Sequence, residues 1–227
     1  MTDKTDLPEK GAALQRDRET YAIFPHIPGG IILDFAVLRN IVDVAEKYEA
    51  KALKLTSSQR LAILGIADDK IDAAWKDLGM KMGAALGSCV RSVRICPAMD
   101  FCKRAMQNAM PLGLEIDKLY HGVKLPAKTK ISISGCPNSC GEGLVRDIGV
   151  IGFRNGYKIF IGGMASSRAR LATLLTENVA QSDVLPLLER IFDYYKKNAR
   201  KQERLGVMID RLGIDTVKQS ILEGAHN

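Results

Sequence analysis

The 227-residue chain lacks long apolar runs and has few aromatic residues, and each scarcity excludes a class of protein. No run approaches the roughly eighteen apolar residues of a membrane helix, and the polar start lacks the apolar segment of a secretory signal. With 6% aromatic residues and no nucleic-acid-binding signature, the chain has little on which bases could stack. We therefore expect a cytoplasmic protein with neither a membrane nor a nucleic acid as its partner.

What the chain does have is an ordinary globular composition and a basic surface. Hydrophobic residues make up 46% and charged residues 26% of the chain, and the formal net charge is +7. The charge is not concentrated in one tail. It fits a solvated basic surface, or a surface that meets an anionic cofactor or an acidic protein.

The first part of the sequence predicts a small α+β unit over residues 20–82, behind a flexible arm over 1–19. Pro28-Gly29-Gly30 predicts a turn, and Asp34 lies where a helix N-cap is expected. The predicted elements are strands over 20–27, 52–56 and 60–66 and helices over 34–48 and 68–78. Their order is ferredoxin-like in outline.

A second region over 83–180 and a set of helices over 181–227 follow. Asn155-Gly156 predicts a tight hairpin between strands over 147–153 and 157–163. A strand over 130–135 ends on Cys136, and a helix over 101–110 is expected to break or restart at Pro111. After Arg168 we expect only helices.

Four of the five cysteines form two pairs with unequal spacing. Five residues separate Cys96 from Cys102, and three separate Cys136 from Cys140. Each pair begins with a Cys-Pro step, which favours extended backbone at the cysteine and so delivers its thiolate from a loop. A [4Fe–4S] cluster needs four thiolates delivered in this way.

Other interpretations of the cysteines fit the spacing less well. Zinc pairs usually have two to four intervening residues, which fits only the second pair, so a zinc-stabilised basic binding module is the weaker alternative. The Cys-x-x-Cys spacing of a thiol redox pair is absent. Cys89 has no partner at a useful spacing, so we interpret it as a small buried residue.

The segments ICPAMDFC and SGCPNSCG resemble the cluster signature of the siroheme-dependent sulfite and nitrite reductases. IPGGII, LKLTSSQ, VRSV, LPAKTK and an IGG followed by Arg168 resemble further motifs of that family, in its order, over about residues 20–200. Length and single-copy organisation resemble the small assimilatory-type sulfite reductases. The resemblance implies a ferredoxin-like half-domain followed by a siroheme/[4Fe–4S] reductase domain and C-terminal helices.

The resemblance also assigns roles to residues. The four paired cysteines become the cluster ligands, and Cys140 the thiolate shared with the siroheme iron. The substrate-side cations are Arg91, Lys128 and Lys130. The remaining siroheme-binding residues are Lys54, Thr56, Asn138, Arg168 and Arg170.

Sulfite reduction to sulfide is the activity that the resemblance implies, with nitrite reduction to ammonia as a second possibility. The sequence has neither a G-x-G-x-x-G motif nor an eight-iron ferredoxin spacing, so an external donor such as a ferredoxin is expected. Either two chains pair as a homodimer to complete each other's sites, or one chain forms a more open half-site.

The sequence departs from the family pattern at three positions. Phe24 and His26 precede Pro28-Gly29-Gly30 where the family carries arginines, and Ser58 replaces another arginine, with Arg60 nearby but not aligned. These losses favour an alternative function, that of a siroheme/iron–sulfur electron-transfer, sensor or carrier protein without reductase activity.

Overall fold

The computed structural model describes residues 4–223, which form two compact units that divide between Gly87 and Ser88. The division lies five residues beyond the position expected from the sequence. Both units mix helices and strands, which confirms the α+β class. Within the described residues, no helix is both long and apolar enough to cross a membrane.

The first unit is a four-stranded antiparallel sheet with two helices. The sheet has the order β1-β2-β4-β3. Its elements are β1 (Ala12–Leu14), β2 (Thr20–Ile23), α1 (Phe35–Lys47), β3 (Ala52–Leu55), β4 (Leu61–Ala67) and α2 (Ile71–Leu78). Asp34 caps α1, because its carboxylate accepts a hydrogen bond from the Ala36 amide at 2.8 Å. Buried residues of both helices and of β4, such as Ile41, Trp75 and Ile63, form the core.

The expected flexible arm over 1–19 is wrong for part of its length. Residues 12–14 form β1, in which Ala12 pairs with Ile23 and is fully buried. The indole nitrogen of Trp75 donates to the Lys10 carbonyl at 2.8 Å and fastens this segment to α2. A three-residue strand is too short to show a periodic pattern in the sequence.

The second unit contains a five-stranded sheet in the order β5-β6-β7-β8-β9. The first three strands are mutually parallel, and the other pairings are antiparallel. The strands are β5 (Arg94–Ile95), β6 (Ile131–Ser134), β7 (Ile148–Phe153), β8 (Gly156–Ile161) and β9 (Thr173–Val179). The helices are α3 (Ala98–Phe101), α4 (Ala109–Tyr120), α5 (Gln181–Asn198), α6 (Leu205–Leu212) and α7 (Ile214–Glu223).

The hairpin around Asn155-Gly156 is confirmed, and two other expectations for this unit are wrong. The helix over 101–110 is absent: α3 ends at Phe101 and α4 begins at Ala109. Pro111 lies in the first turn of α4, where proline replaces no intrahelical donor, so it does not break the helix. The chain after Arg168 is not wholly helical, because residues 173–179 form β9 beside β8.

Candidate functional site

Both cysteine motifs begin at the carboxyl ends of neighbouring parallel strands. Ile95 of β5 pairs with Ile133 of β6, and the Cys96 amide donates to the Ile133 carbonyl at 3.0 Å. Cys136 follows β6 after one intervening glycine. Because parallel strands end at the same edge of a sheet, the fold brings the two motifs to one place.

Gly135 joins the two motifs. Its carbonyl accepts hydrogen bonds from the Met106 and Gln107 amides at 2.8 and 3.0 Å. A Cβ atom at this position would lie 2.8 Å from the Gln107 carbonyl oxygen and 2.9 Å from the Ala98 Cβ atom. Only glycine allows the backbone of the second motif to rest this closely on the first.

Three non-glycine residues in the motifs or directly after them adopt positive φ angles. They are Ala98 at 48°, Ser139 at 48° and Glu142 at 59°. Such angles are uncommon outside glycine and concentrate where function fixes the course of the chain. Here they turn the backbone directly beside Cys96 and Cys140.

The four thiols differ in exposure. Cys96 and Cys136 are buried, Cys102 is half-buried and Cys140 is exposed. Within the described residues, no three Cys, His, Asp or Glu side chains are grouped so that they could hold one metal ion. A cubane cluster presents a separate iron to each thiolate, so its ligands need not meet at one point. Cys89 is buried, as expected from the sequence.

A group of cations lies next to Cys140. Glu142, two residues after Cys140, accepts hydrogen bonds from the guanidinium groups of Arg94 and Arg146. Arg146 is only 3% exposed. In the part of the chain that the structure describes, the buried Nε atoms of both arginines have no hydrogen-bond partner. Such unpaired donors in a net positive site suit an anionic ligand.

Lys130 belongs to the same group. Burial lowers the pKa of its ammonium group, and the positive charges of Arg146, Lys128 and Arg204 lower it further. Its backbone amide donates to the Asp147 carboxylate at 2.8 Å. Desolvation therefore works against the charged form of Lys130, and an anion bound nearby would restore it.

Asp147 offsets part of the charge on Lys130 and Arg146, but the side chain that donates hydrogen bonds to it is that of Arg204. The Arg204 guanidinium donates two hydrogen bonds from Nη2 and one from Nε to the Asp147 carboxylate, at 2.6 to 2.9 Å. Burial raises the pKa of this carboxyl, while Arg204 and the Lys130 amide lower it. The pair anchors the start of α6 to the amino end of β7.

The site residues predicted from the sequence in this unit differ in their exposure and in their contacts. Arg91 is 8% exposed, and burial lowers its pKa. Lys128 and Asn138 are exposed, as is Arg168. Arg170 forms an ion pair with Asp210 at 2.8 Å and donates to the Gly206 carbonyl, so its observed contacts are with α6.

Sequence reasoning missed Arg94 and Arg146. Arg94 stands two residues before Cys96 and Arg146 six residues after Cys140. Nothing in the sequence marks them, since neither belongs to a motif quoted above. Their burial and their shared contact with Glu142 become visible only in the fold.

Lys54 and Thr56 lie in the first unit. Lys54 is exposed on β3, and the Thr56 hydroxyl accepts from the Arg60 amide at 3.2 Å. A cavity of about 270 Å³ lies at this turn, lined by Ile27, Gly30, Ile32, Leu55, Thr56, Gln59, Arg60 and Leu61. Arg60 is 8% exposed and lies 5.7 Å from the centre of the Phe24 ring. The aromatic residue that departs from the family pattern thus packs on a buried cation.

Two family models match the chain. The Nitrite/Sulfite reductase ferredoxin-like half domain matches residues 13–81. The Nitrite and sulphite reductase 4Fe-4S domain matches residues 86–226. Together they cover both units and include every residue assigned above.

Among curated relatives, the assimilatory-type sulfite reductase of Nitratidesulfovibrio vulgaris is 35% identical over 94% of this chain and 97% of its own length. The nitrite reductase [NAD(P)H] of Bacillus subtilis is 33% identical over 93% of this chain, which spans only 26% of that protein.

Two solved structures share the fold. Dissimilatory sulfite reductase I superposes with a TM-score of 0.80 at 15% identity, covering 89% of this chain and 69% of that one. The Mycobacterium tuberculosis NirA protein superposes with a TM-score of 0.77 at 19% identity, covering 90% and 40%.

Proposed function

The chain belongs to the nitrite and sulphite reductase family, and from this membership we propose that it reduces sulfite to sulfide with electrons from an external donor. The 4Fe–4S domain and the reductase relatives indicate a [4Fe–4S] cluster and siroheme as cofactors. The observation that supports sulfite as the substrate is the near full-length match to an assimilatory-type sulfite reductase.

Cys96, Cys102, Cys136 and Cys140 would hold the cluster. The hydrogen bonds around Gly135 fix the two cysteine loops against each other, as a shared ligand requires. Cys140 is the exposed thiol, and its exposure supports its role as the thiolate shared with siroheme. When bound, the coupled cofactors supply the electrons and the iron on which the oxyanion is reduced.

Siroheme carries many carboxylates, and buried arginines suit them. Arg94 and Arg146 lie close to Cys140 in the chain and hold buried Nε donors without partners among the described residues. We assign these two arginines to siroheme carboxylates. In the first unit, Thr56 and Arg60 line a cavity of their own at the turn after β3.

Arg91, Lys128 and Lys130 remain the proposed substrate-side cations. Sulfite carries more negative charge than nitrite at neutral pH, so it gains more from each cation. Nitrite is the second proposed substrate, because several relatives are nitrite reductases.

An electron-transfer, sensor or carrier role without reductase activity is the second candidate function. The observation that favours it is the absence of arginine at Phe24, His26 and Ser58. Arg60, buried against the Phe24 ring, supplies one cation to the same region, and this weakens the argument from the missing arginines.

The test is sulfite reduction by the holoprotein with methyl viologen as an artificial low-potential donor. Each charge-assisted contact is worth about 1.5–3 kcal/mol, so Lys128→Ala and Lys130→Ala should each lower kcat/KM roughly 10- to 100-fold. Lys124→Ala, an exposed lysine of the same segment, is the matched control and should leave kcat/KM unchanged.

Undetectable sulfite and nitrite reduction with both cofactors loaded would refute the reductase and favour the carrier or sensor. Unchanged activity in both lysine variants would keep the reductase but refute this substrate pocket. The homodimer also remains a prediction, and sedimentation equilibrium of the holoprotein distinguishes the 24.9 kDa chain from a pair.

A further inference from the structure

The loop between the first two cluster cysteines and α4 carries a surface that the site described above does not use. We propose that this surface, formed by Met99, Phe101, Lys103, Arg104 and Met106 and called the donor patch below, docks a small acidic electron-transfer protein. The inference rests on the proposed function and names the partner that delivers its electrons.

The donor patch exposes three large apolar side chains within eight residues. Met99 is 58%, Phe101 70% and Met106 46% exposed. Single exposed apolar residues are ordinary on protein surfaces, whereas three large ones in one short segment favour a contact surface. Methionine and phenylalanine are also enriched where proteins meet.

The charge of the donor patch selects an acidic partner. Lys103 and Arg104 are exposed, and within residues 4–223 neither forms an ion pair. Asp100 is the one acidic residue between positions 96 and 107. Exposed apolar side chains in the same short segment as unpaired cations fit a protein with acidic residues around its redox centre, and the net charge of +7 adds long-range attraction.

The position of the donor patch suits electron delivery. Its residues flank Cys102, whose amide donates to the Ala98 carbonyl at 2.7 Å and whose carbonyl accepts from the Ala105 amide at 3.1 Å. A donor seated here is separated from a cluster ligand by one short loop. The donor's reduced iron–sulfur centre would lose one electron and be oxidised, and a cluster held by these cysteines would accept it; no bond would form or break in the step.

A second exposed apolar group does not fit this role. Phe35, Leu38 and Val42 of α1 are exposed in the first unit, with Arg39 and Asp43 of opposite charge among them. That group carries no net charge and lies far from the cysteines in the sequence. It supplies a matched control, because Phe35 is 68% exposed and Phe101 is 70% exposed.

The experiment measures single-turnover reduction of the oxidised holoprotein by stopped flow, without sulfite or nitrite. A small acidic ferredoxin is one reductant and methyl viologen radical is the other. The variant Lys103→Glu/Arg104→Glu reverses both charges, and Arg200→Glu/Lys201→Glu makes the same change on exposed residues elsewhere. A second pair compares Phe101→Ser with Phe35→Ser.

We expect wild-type reduction by ferredoxin to slow as ionic strength rises, while reduction by the viologen, which needs no docking, does not. The Lys103/Arg104 charge reversal should slow reduction by ferredoxin at least roughly tenfold, with the viologen rate within twofold of wild type. Phe101→Ser should also slow reduction by ferredoxin, and both control variants should be reduced at the wild-type rate.

A ferredoxin rate unaffected by both donor-patch variants, or slowed equally by the matched controls, would overturn the proposal. If charge reversal also lowers the iron content or the viologen rate, Lys103→Gln and Arg104→Gln replace it and the same criterion applies. Because these rates need no sulfite or nitrite, failure of the reductase activity and failure of the docking site are observed separately.

Discussion

Replacing Arg146 by methionine should weaken siroheme binding while leaving the protein folded. Arg146 is 3% exposed, donates to Glu142 and holds a buried Nε atom without a partner among the described residues. Methionine keeps an apolar stem of similar length, so the packing of the side chain is largely preserved. The change therefore removes the charge and the donors with little loss of contact.

The size of the effect follows from what Arg146 contacts. One lost charge-assisted contact with a siroheme carboxylate is worth about 1.5–3 kcal/mol, which raises the siroheme dissociation constant roughly 10- to 100-fold. The loss of folding stability should be smaller than this loss of siroheme-binding free energy. Glu142 is about half exposed and keeps Arg94, so losing its contact with Arg146 costs under about 1 kcal/mol. Removing the repulsion between Arg94 and Arg146 offsets part of that cost.

The assay titrates siroheme into protein made without it and follows the Soret absorption, with thermal unfolding measured in parallel. Arg154→Met serves as the matched control, because Arg154 is exposed in the turn between β7 and β8. Turnover per bound siroheme should stay at the wild-type value in both variants, since Arg146 is assigned to the cofactor.

Two results would refute this reasoning. Wild-type siroheme affinity in folded Arg146→Met would show that the unpaired Nε does not face the cofactor. Normal affinity with reduced turnover per bound siroheme would move Arg146 to the substrate instead.

Three further predictions test the cluster, the substrate pocket and the joint between the cysteine loops. Cys140→Ser should abolish the magnetic coupling of cluster and siroheme or remove the cluster, whereas Cys89→Ser should retain both; electron paramagnetic resonance measures this, and equal tolerance would contradict the ligand assignment. Burial and the charges of Arg146, Lys128 and Arg204 lower the pKa of Lys130, so this residue loses its charge at a lower pH than an ordinary lysine does. Sulfite binding that needs this charge is lost as pH rises through that pKa, and the KM for sulfite should therefore increase in that pH range. Lys130→Arg should remove this alkaline rise, and a rise that persists would assign it to another group. Gly135→Ala should cost about 1–3 kcal/mol of unfolding free energy and lower the iron content, since its Cβ would meet the Gln107 carbonyl; calorimetry showing wild-type stability would contradict that packing.

The sequence was sufficient to predict the elements that local rules determine. Asp34 caps α1 as expected, and Asn155-Gly156 closes the hairpin between β7 and β8, because capping and tight turns depend on a few adjacent residues. The family was likewise predictable, because the two Cys-Pro motifs carry a spacing that few other proteins share. The family models confirm that prediction.

What the sequence did not show depends on contacts between distant residues. The strand β9 is stabilised by pairing with β8, and β1 by pairing with β2, so neither needs a strong pattern of its own. The sequence predicted a continuous helix over 101–110, yet the Met106 and Gln107 amides donate instead to Gly135. These hydrogen bonds to a residue distant in the sequence outweigh the helix propensity of the segment.

The arrangement of charge near Cys140 links folding to cofactor loading. Arg94 and Arg146 share one half-exposed acid, Glu142, while Lys130 lies near Asp147, whose carboxylate forms its ion pair with Arg204. Buried cations in excess repel one another, and this lowers the stability of the protein without its anionic cofactor. A ligand that binds only the folded protein stabilises it in proportion to its affinity. On the proposed assignment, the charges that repel one another in the empty site are those that let siroheme stabilise the folded protein, so a mutation among them should destabilise the loaded protein more than the unloaded one.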